Sequence, residues 1–189
     1  MQNDFLNAVD FSHYLLAKTV KKGDVVLDAT AGNGHDSKFL AELVGTKGKL
    51  YAIDIQQQAV DNTLKLLKKD SLLKQAELIN SDHAELDKYI EESLKAVIFN
   101  LGYLPGGDKE IITKSESTIK ALNKALKILE VKGIIILVVY TGHEGGKEER
   151  DVLLKYSTDL DYKKYNVLNY KFLNQPGPPP EIIAIKKRK

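Results

Sequence analysis

The 189-residue sequence contains no cysteine. That absence removes disulfides, thiolate metal sites and thiol nucleophiles together. Arginine is scarce as well, occurring only at Arg150 and Arg188, so nearly all of the 28 basic side chains are lysines. Lysine holds a phosphate as a hydrated point charge but lacks the planar fork that reads guanine edges or stacks on bases. No apolar run approaches the roughly eighteen residues that span a membrane. The opening MQNDFLNAVDFSHYLL also lacks the basic segment and small-residue cleavage site of a secretory leader. The expected location is therefore cytoplasmic. What remains is 43% hydrophobic and 29% charged with a net charge of +2, the composition of a globular protein. The length suits one domain, residues 1–189, with 1–22 as an N-terminal helix packed on it. Lysine clusters at 18, 21 and 22, at 65, 68 and 69, and at the C-terminus fit nucleic-acid contacts and solvated helix faces equally well.

Strand and helix patterns alternate along the chain. Phe5, Leu6, Val9, His13 and Leu16 recur at helical spacing and predict an opening helix. Strands are expected at Val25–Ala29, Lys49–Ile55, Ala76–Asn80, Ala96–Asn100 and Gly133–Tyr140, separated by helices at Ser37–Val44, Gln57–Lys69, Ala84–Glu92 and Ser115–Leu129. A helix at Glu148–Thr158 and two further runs, YNVLNYKFL and EIIAIKK, complete the set. This order predicts a single doubly wound α/β domain. Its sheet should be seven-stranded and mostly parallel, with one antiparallel strand near the C-terminus.

The most informative local feature is VVLDATAGNGHD, an apolar run entering a glycine turn, followed by Asp54 at the end of the next apolar run, twenty residues after Gly34. A strand, a GxG turn and a helix present backbone N–H groups closely to a nucleotide, and an acidic residue on the next strand can hold ribose hydroxyls. A dinucleotide site wants a third glycine, and Ser37 stands there instead. Asp28 and Asp36 would also repel a pyrophosphate. S-adenosylmethionine carries no phosphate, and its sulfonium and ammonium groups are cations that carboxylates suit. Asp28, Gly32, Asn33, Gly34, Asp36, Asp54 and Gln56 are accordingly the first candidate cofactor residues. The pattern DxxxGxG resembles motif I of the class I methyltransferases, and Asp54 resembles their ribose-binding residue.

In an open α/β sheet the ligands lie beyond the carboxyl ends of the strands, and these tips are polar here. After the third strand come Ser81, Asp82 and His83. Asp82 fits both a helix N-cap and the acidic residue that faces adenine in the class I pattern, and His83 can stack on or hydrogen-bond to a purine. After the fourth strand, Asn100 and Tyr103 keep the spacing of the Asn-Pro-Pro-Tyr segment of amino-group methyltransferases, although Leu101 and Gly102 replace both prolines. That resemblance implies that Asn100 orients a target nitrogen and Tyr103 stacks on a base. Gly106, Gly107 and Asp108 form a turn able to close over substrate. After the fifth strand, His143 sits between glycines as a candidate proton acceptor at neutral pH. The four histidines lack metal-ligand spacing, so no metal is expected.

Taken together, DATAGNGHDSKFLAELVG, YAIDIQ, NLGYLPGGDK, YTGHEGG and NQPGPPPEIIAIKK resemble a family of small bacterial methyltransferases labelled rRNA methylases, whose members act on the tRNA wobble uridine. The resemblance runs from about His13 to Lys187 and implies methyl transfer from S-adenosylmethionine to the amine of 5-aminomethyl-2-thiouridine. The partner it implies is tRNA, with a homodimer compatible. The lack of cysteine agrees, because methylating an unactivated pyrimidine ring carbon ordinarily needs a cysteine adduct, whereas an amine needs chiefly placement and loss of a proton. An rRNA or other RNA base N-methyltransferase, a non-catalytic cofactor-binding RNA module and a small-molecule amine methyltransferase are the alternatives.

Overall fold

The computed structural model describes residues 5–106 and 112–189. Its strands are β1 (Val25–Asp28), β2 (Lys49–Asp54), β3 (Ala76–Asn80), β4 (Leu94–Leu101), β5 (Leu129–Val139), β6 (Tyr165–Tyr170) and β7 (Glu181–Lys187). They form one sheet in the order β3-β2-β1-β4-β5-β7-β6. Neighbours among β1 to β5 pair in parallel, and β7 runs antiparallel to both β5 and β6. The helices are α1 (Ala8–Thr19), α2 (His35–Val44), α3 (Gln57–Lys69), α4 (Ser115–Ile128) and α5 (Gly146–Thr158). The expected doubly wound sheet with one reversed strand is the one that forms.

Helices cover both faces, and the strands accordingly read as continuous apolar runs. Leu16, Leu40 and Leu67 from α1, α2 and α3 pack with Val26, Ile98 and Ile136 on one face. Leu122, Leu126 and Leu153 from α4 and α5 pack with Leu27, Phe99 and Leu137 on the other. The two-residue alternation along each strand thus sends neighbouring side chains into two separate cores. Among the described residues, no helix is long and apolar enough to cross a membrane.

Three elements depart from the sequence reading. In α1 the buried stripe is Ala8, Ser12, Leu16 and Thr19, while Phe5 and Leu6 precede the helix and are exposed. Asn7 fixes that start, its Oδ1 accepting from the Asp10 N–H at 2.9 Å. The helix expected at Ala84–Glu92 is a 3-10 helix, His83–Lys88. Lys124 Nζ from α4 occupies the Ala84 carbonyl that a continuing α-helix would use. Finally, β5 begins at Leu129, four residues before GIIILVVY, through an irregularity in its pairing with β4 and a left-handed Lys132.

The strand order places the switch point between β1 and β4, so a crevice opens at their carboxyl ends. The lysine clusters lie elsewhere. Lys18, Lys21 and Lys22 lead into the start of β1, Lys65, Lys68 and Lys69 end α3 ahead of β3, and Lys186 pairs with Ile134, which lies level with Val26 near the start of β1 through Ala96 of β4. All three therefore sit at the amino edge of the sheet. Lys187 is tied to the fold, its Nζ donating to the Leu129 carbonyl at 2.6 Å.

Leu16 is fully buried where α1 meets the sheet. Leu16→Ala should cost about 2–5 kcal/mol in urea denaturation, the usual range for truncating a buried leucine.

Candidate active site

The glycine turn is built by its backbone. Gly34 adopts φ +85° as it enters α2, and a Cβ there would lie 2.9 Å from the Thr63 Cα, so both conformation and space demand glycine. Asp54, at the tip of β2, accepts the Gly32 N–H on Oδ2 and the Gln56 N–H on Oδ1, each at 2.9 Å. The Gly32 N–H that a pyrophosphate would require is therefore already given to a carboxylate. Each Asp54 oxygen keeps a second lone pair for a hydroxyl donor. Below the turn, Asp28 is fully buried, accepting from Ser37 Oγ at 2.6 Å and from the Thr30 N–H at 3.2 Å. Burial, and next the charge of Asp36, push its carboxyl up to about 7.

Beyond this turn lies a cleft of about 350 Å³, within the size range of small-molecule and cofactor sites. One wall carries Asp54, Ile55, Gln56, Asp82 and His83. Asp82 caps the 3-10 helix, its Oδ1 accepting the Ala84 N–H at 2.8 Å, so the N-cap reading and the cleft reading hold together. His83 meets Phe99 edge-on at 5.6 Å and has a buried Nε2 without a hydrogen-bond partner. Burial lowers its pKa, which favours the neutral imidazole. Ile55, 58% exposed, adds an apolar surface beside His83 in the cleft wall.

The opposite wall is formed by the tip of β4 and the loop after it. The Asn100 N–H donates to Thr30 Oγ1 at 2.7 Å, and its side-chain Nδ2 donates to Asp36 Oδ2 at 3.1 Å. The other oxygen of Asp36 lies 2.6 Å from His13 Nε2, and the His13 ring stacks on Phe39 with centroids 4.0 Å apart. Asn33 ties the loop down, donating to the Pro105 carbonyl at 3.3 Å and accepting from Asn62 at 2.9 Å. Tyr103 is 46% exposed at the mouth. Behind it, Thr113 and Thr118 donate to the buried Glu149, whose carboxyl burial pushes up, at 2.9 and 3.3 Å.

Of the residues selected from sequence, Gly32, Asn33, Asp36, Asp54, Gln56, Asp82, His83, Asn100 and Tyr103 line this one cleft. Asp28 and Gly34 shape the turn from beneath it rather than facing it. His143 does not reach it. Its Nδ1 is 2.9 Å from the Glu144 carbonyl, its Nε2 is buried, and its ring props the edge of Tyr103 at 6.2 Å. Its ring therefore stands beside Tyr103 rather than among the residues that line the cleft. Gly107 and Asp108 of the expected closing turn lie outside the described residues. Sequence reasoning missed His13, Thr30, Ile55 and Tyr140. The signal for His13 was present, a titratable side chain within the apolar register of α1.

A parallel sheet with one reversed strand, a carboxylate-braced glycine turn at its switch point and further carboxylates in the cleft define an S-adenosylmethionine-dependent methyltransferase of class I type. Residues 50–186 match the family described as "Putative rRNA methylase", and the chain belongs to that family. It is 37% identical over 190 residues, 95% of this chain and 69% of the relative, to an Arabidopsis thaliana protein named tRNA (mnm(5)s(2)U34)-methyltransferase, chloroplastic. It also resembles the crystal structure of an rRNA-methylase, described as putative, from Clostridium thermocellum. That match has a TM-score of 0.96 and 44% identity, covering 98% of this chain and 100% of that one. A Streptococcus mutans methyltransferase, likewise described as putative and solved in complex with SAH, matches with a TM-score of 0.89 and 36% identity over 97% and 99% of the two chains.

The raised pKa of Asp28 has a stability consequence. The folded state keeps this proton between about pH 4 and 7 while the unfolded chain releases it, so the contribution of Asp28 to stability falls as pH rises through that window. Asp28→Asn should remove that fall. Denaturation at pH 5 and pH 8 should show the wild type losing stability relative to the variant on going to pH 8, by at most about 3 kcal/mol.

Proposed function

We propose that the protein transfers a methyl group from S-adenosylmethionine to the amine of 5-aminomethyl-2-thiouridine at the wobble position of tRNA, giving 5-methylaminomethyl-2-thiouridine. The observation that carries this reading is the meeting of Asn100 and Tyr103 with the Asp54 and Asp82 wall in one cleft. The activity named for the Arabidopsis relative supports the choice of acceptor.

The residues fit the cofactor. Asp54 would accept the ribose hydroxyls, Asp82 and His83 would stand at the adenine end, and Ile55 would offer an apolar surface to the ring. When bound, S-adenosylmethionine supplies an electrophilic methyl group on a sulfonium. Asn100 then needs only to aim a nitrogen lone pair, since alignment of reacting atoms accounts for several kcal/mol of barrier lowering when one partner is already activated. Tyr103, half exposed at the mouth, offers a ring on which an unstacked uracil can lie. The proton leaves the amine to water in the open cleft or to a nearby group such as His143.

The amino-edge lysine clusters are remote from this chemistry, so the cations that meet the RNA are those at the carboxyl edge. Lys114 precedes α4, Lys147 lies in the first turn of α5 and Lys171 follows β6, and all three are exposed.

Asn100→Ala should lower kcat on tRNA about 100-fold or more while leaving cofactor affinity within a few-fold; equal loss of both would refute the role given to Asn100. Nucleoside mass spectrometry of a deletion strain should show the unmethylated aminomethyl nucleoside accumulating in tRNA. Unchanged tRNA with altered rRNA would instead favour the rRNA reading that the family's description carries, and cofactor binding with no RNA methylated would favour a non-catalytic module. The logarithmic salt dependence of tRNA binding should flatten by about one for each of Lys114 and Lys147 replaced by alanine.

A further inference from the structure

We propose that His13, from the N-terminal helix, is a positioning residue for methyl transfer, acting through Asp36 to fix which way the Asn100 side-chain amide faces. The proposal rests on the reading that Asn100 orients the methyl-accepting amine.

The two ends of a side-chain amide have nearly the same shape, so only hydrogen-bond partners decide which atom points where. The difference matters at a nucleophilic amine. An amide oxygen accepts one of the amine's N–H bonds and leaves the lone pair free to attack. A flipped amide presents N–H donors instead, which bind that lone pair and quench it.

The structure supplies the partner that settles this choice. A carboxylate is an acceptor only, so Asp36 Oδ2, 3.1 Å from Asn100 Nδ2, admits just one orientation of the amide. With Nδ2 committed to Asp36, Oδ1 is the amide atom left for the cleft, which Asn100 lines. The backbone of Asn100 is held in turn by Thr30 Oγ1 at 2.7 Å.

Asp36 would not keep that aim unaided. Its side chain is 11% exposed, and its second oxygen needs a donor if the carboxylate is to hold one rotamer. His13 Nε2 provides it at 2.6 Å, and His13 is itself fixed face to face on Phe39, with the ring planes 7° apart. The chain therefore runs from a helix residue 23 positions before Asp36, through one carboxylate, to an amide 64 positions after it. No member is adjacent in sequence to another, and each hydrogen bond assigns the polarity of the next.

The test combines kinetics on tRNA with a measurement that needs no turnover. His13→Ala should lower kcat about 10- to 100-fold while the KM for tRNA and the cofactor Kd stay within about two-fold. His13→Gln, which retains an N–H donor, should recover most of the lost rate. Asp36→Asn should cost at least as much as His13→Ala, because an amide facing an amide permits either orientation, and adding His13→Ala to it should cost nothing more. In 15N-labelled protein without tRNA, the two Asn100 side-chain N–H signals should be distinct and exchange-protected in wild type and His13→Gln, and averaged or unprotected in His13→Ala.

Three results overturn the proposal: wild-type kcat in His13→Ala, a glutamine variant no better than the alanine variant, or Asn100 side-chain signals unchanged by His13→Ala. Should His13→Ala fail to fold, Asp36→Asn decides by the same Asn100 signals. Failure of the substrate reading shows separately, as wild-type protein that leaves 5-aminomethyl-2-thiouridine unmethylated whatever the state of the Asn100 amide.

Discussion

The site depends on one carboxylate closing one turn. Asp54 accepts from Gly32 on one side and from Gln56 on the other, so the end of β2 clamps the loop that leaves β1. This has two consequences. It fixes the glycine turn without a ligand, because the donors that would otherwise wait for an anion are satisfied by the protein. It also decides which ligand the turn can accept: with its Gly32 N–H spent and Asp36 and Asp82 in the same cleft, the turn repels phosphate and favours cationic or hydroxylic groups. The missing third glycine belongs with this outcome. Ser37 occupies that position and donates to the buried Asp28, contributing a hydrogen bond below the turn where a dinucleotide fold would bring helix and strand closer.

Much of this was legible in the chain because it is governed by local rules. Apolar runs such as AVIF and IIILVV announce strands buried on both faces, the turn after Asp28 announces itself by its glycines, and polar strand tips announce a ligand edge. What escaped depends on pairs distant in sequence. Nothing near His13 says that it meets Asp36, and nothing near His143 says that its Nε2 will be buried and its Nδ1 taken up by a neighbouring carbonyl. The 3-10 helix at His83–Lys88 escaped for the same reason, since the lysine that takes its Ala84 carbonyl lies 40 residues away on α4. The lysine clusters stayed ambiguous for another reason. Composition reports how many charges exist, and only topology reports which edge of the sheet they occupy.

The N-terminal helix illustrates how packing and function share an element. Its register is set by a cap at Asn7 and by burial of Ala8, Ser12, Leu16 and Thr19 against the sheet. His13 lies between buried positions of that stripe and sends its ring to Asp36 and Phe39 of α2. A helix anchored along its length by apolar contacts holds a side chain more rigidly than a loop can, which suits a residue whose hydrogen bond must keep one direction.

A cleft lined with carboxylates is an unusual surface to offer a polyanion, and this limits how RNA can approach it. The charges of Asp36 and Asp54 are engaged by hydrogen bonds from within the protein, yet their field still opposes a phosphate entering the cleft. Under the proposed reading the acceptor must therefore enter alone: a base swung out of the stack, resting on Tyr103 with its amine at Asn100, while the backbone stays at the rim near Lys114, Lys147 and Lys171. A nucleotide in a single-stranded loop meets that requirement at a cost of only a few kcal/mol of unstacking, whereas a paired base would lose its partner as well. The electrostatics of the cofactor wall thus select for an exposed loop base, independently of any contact that reads its identity.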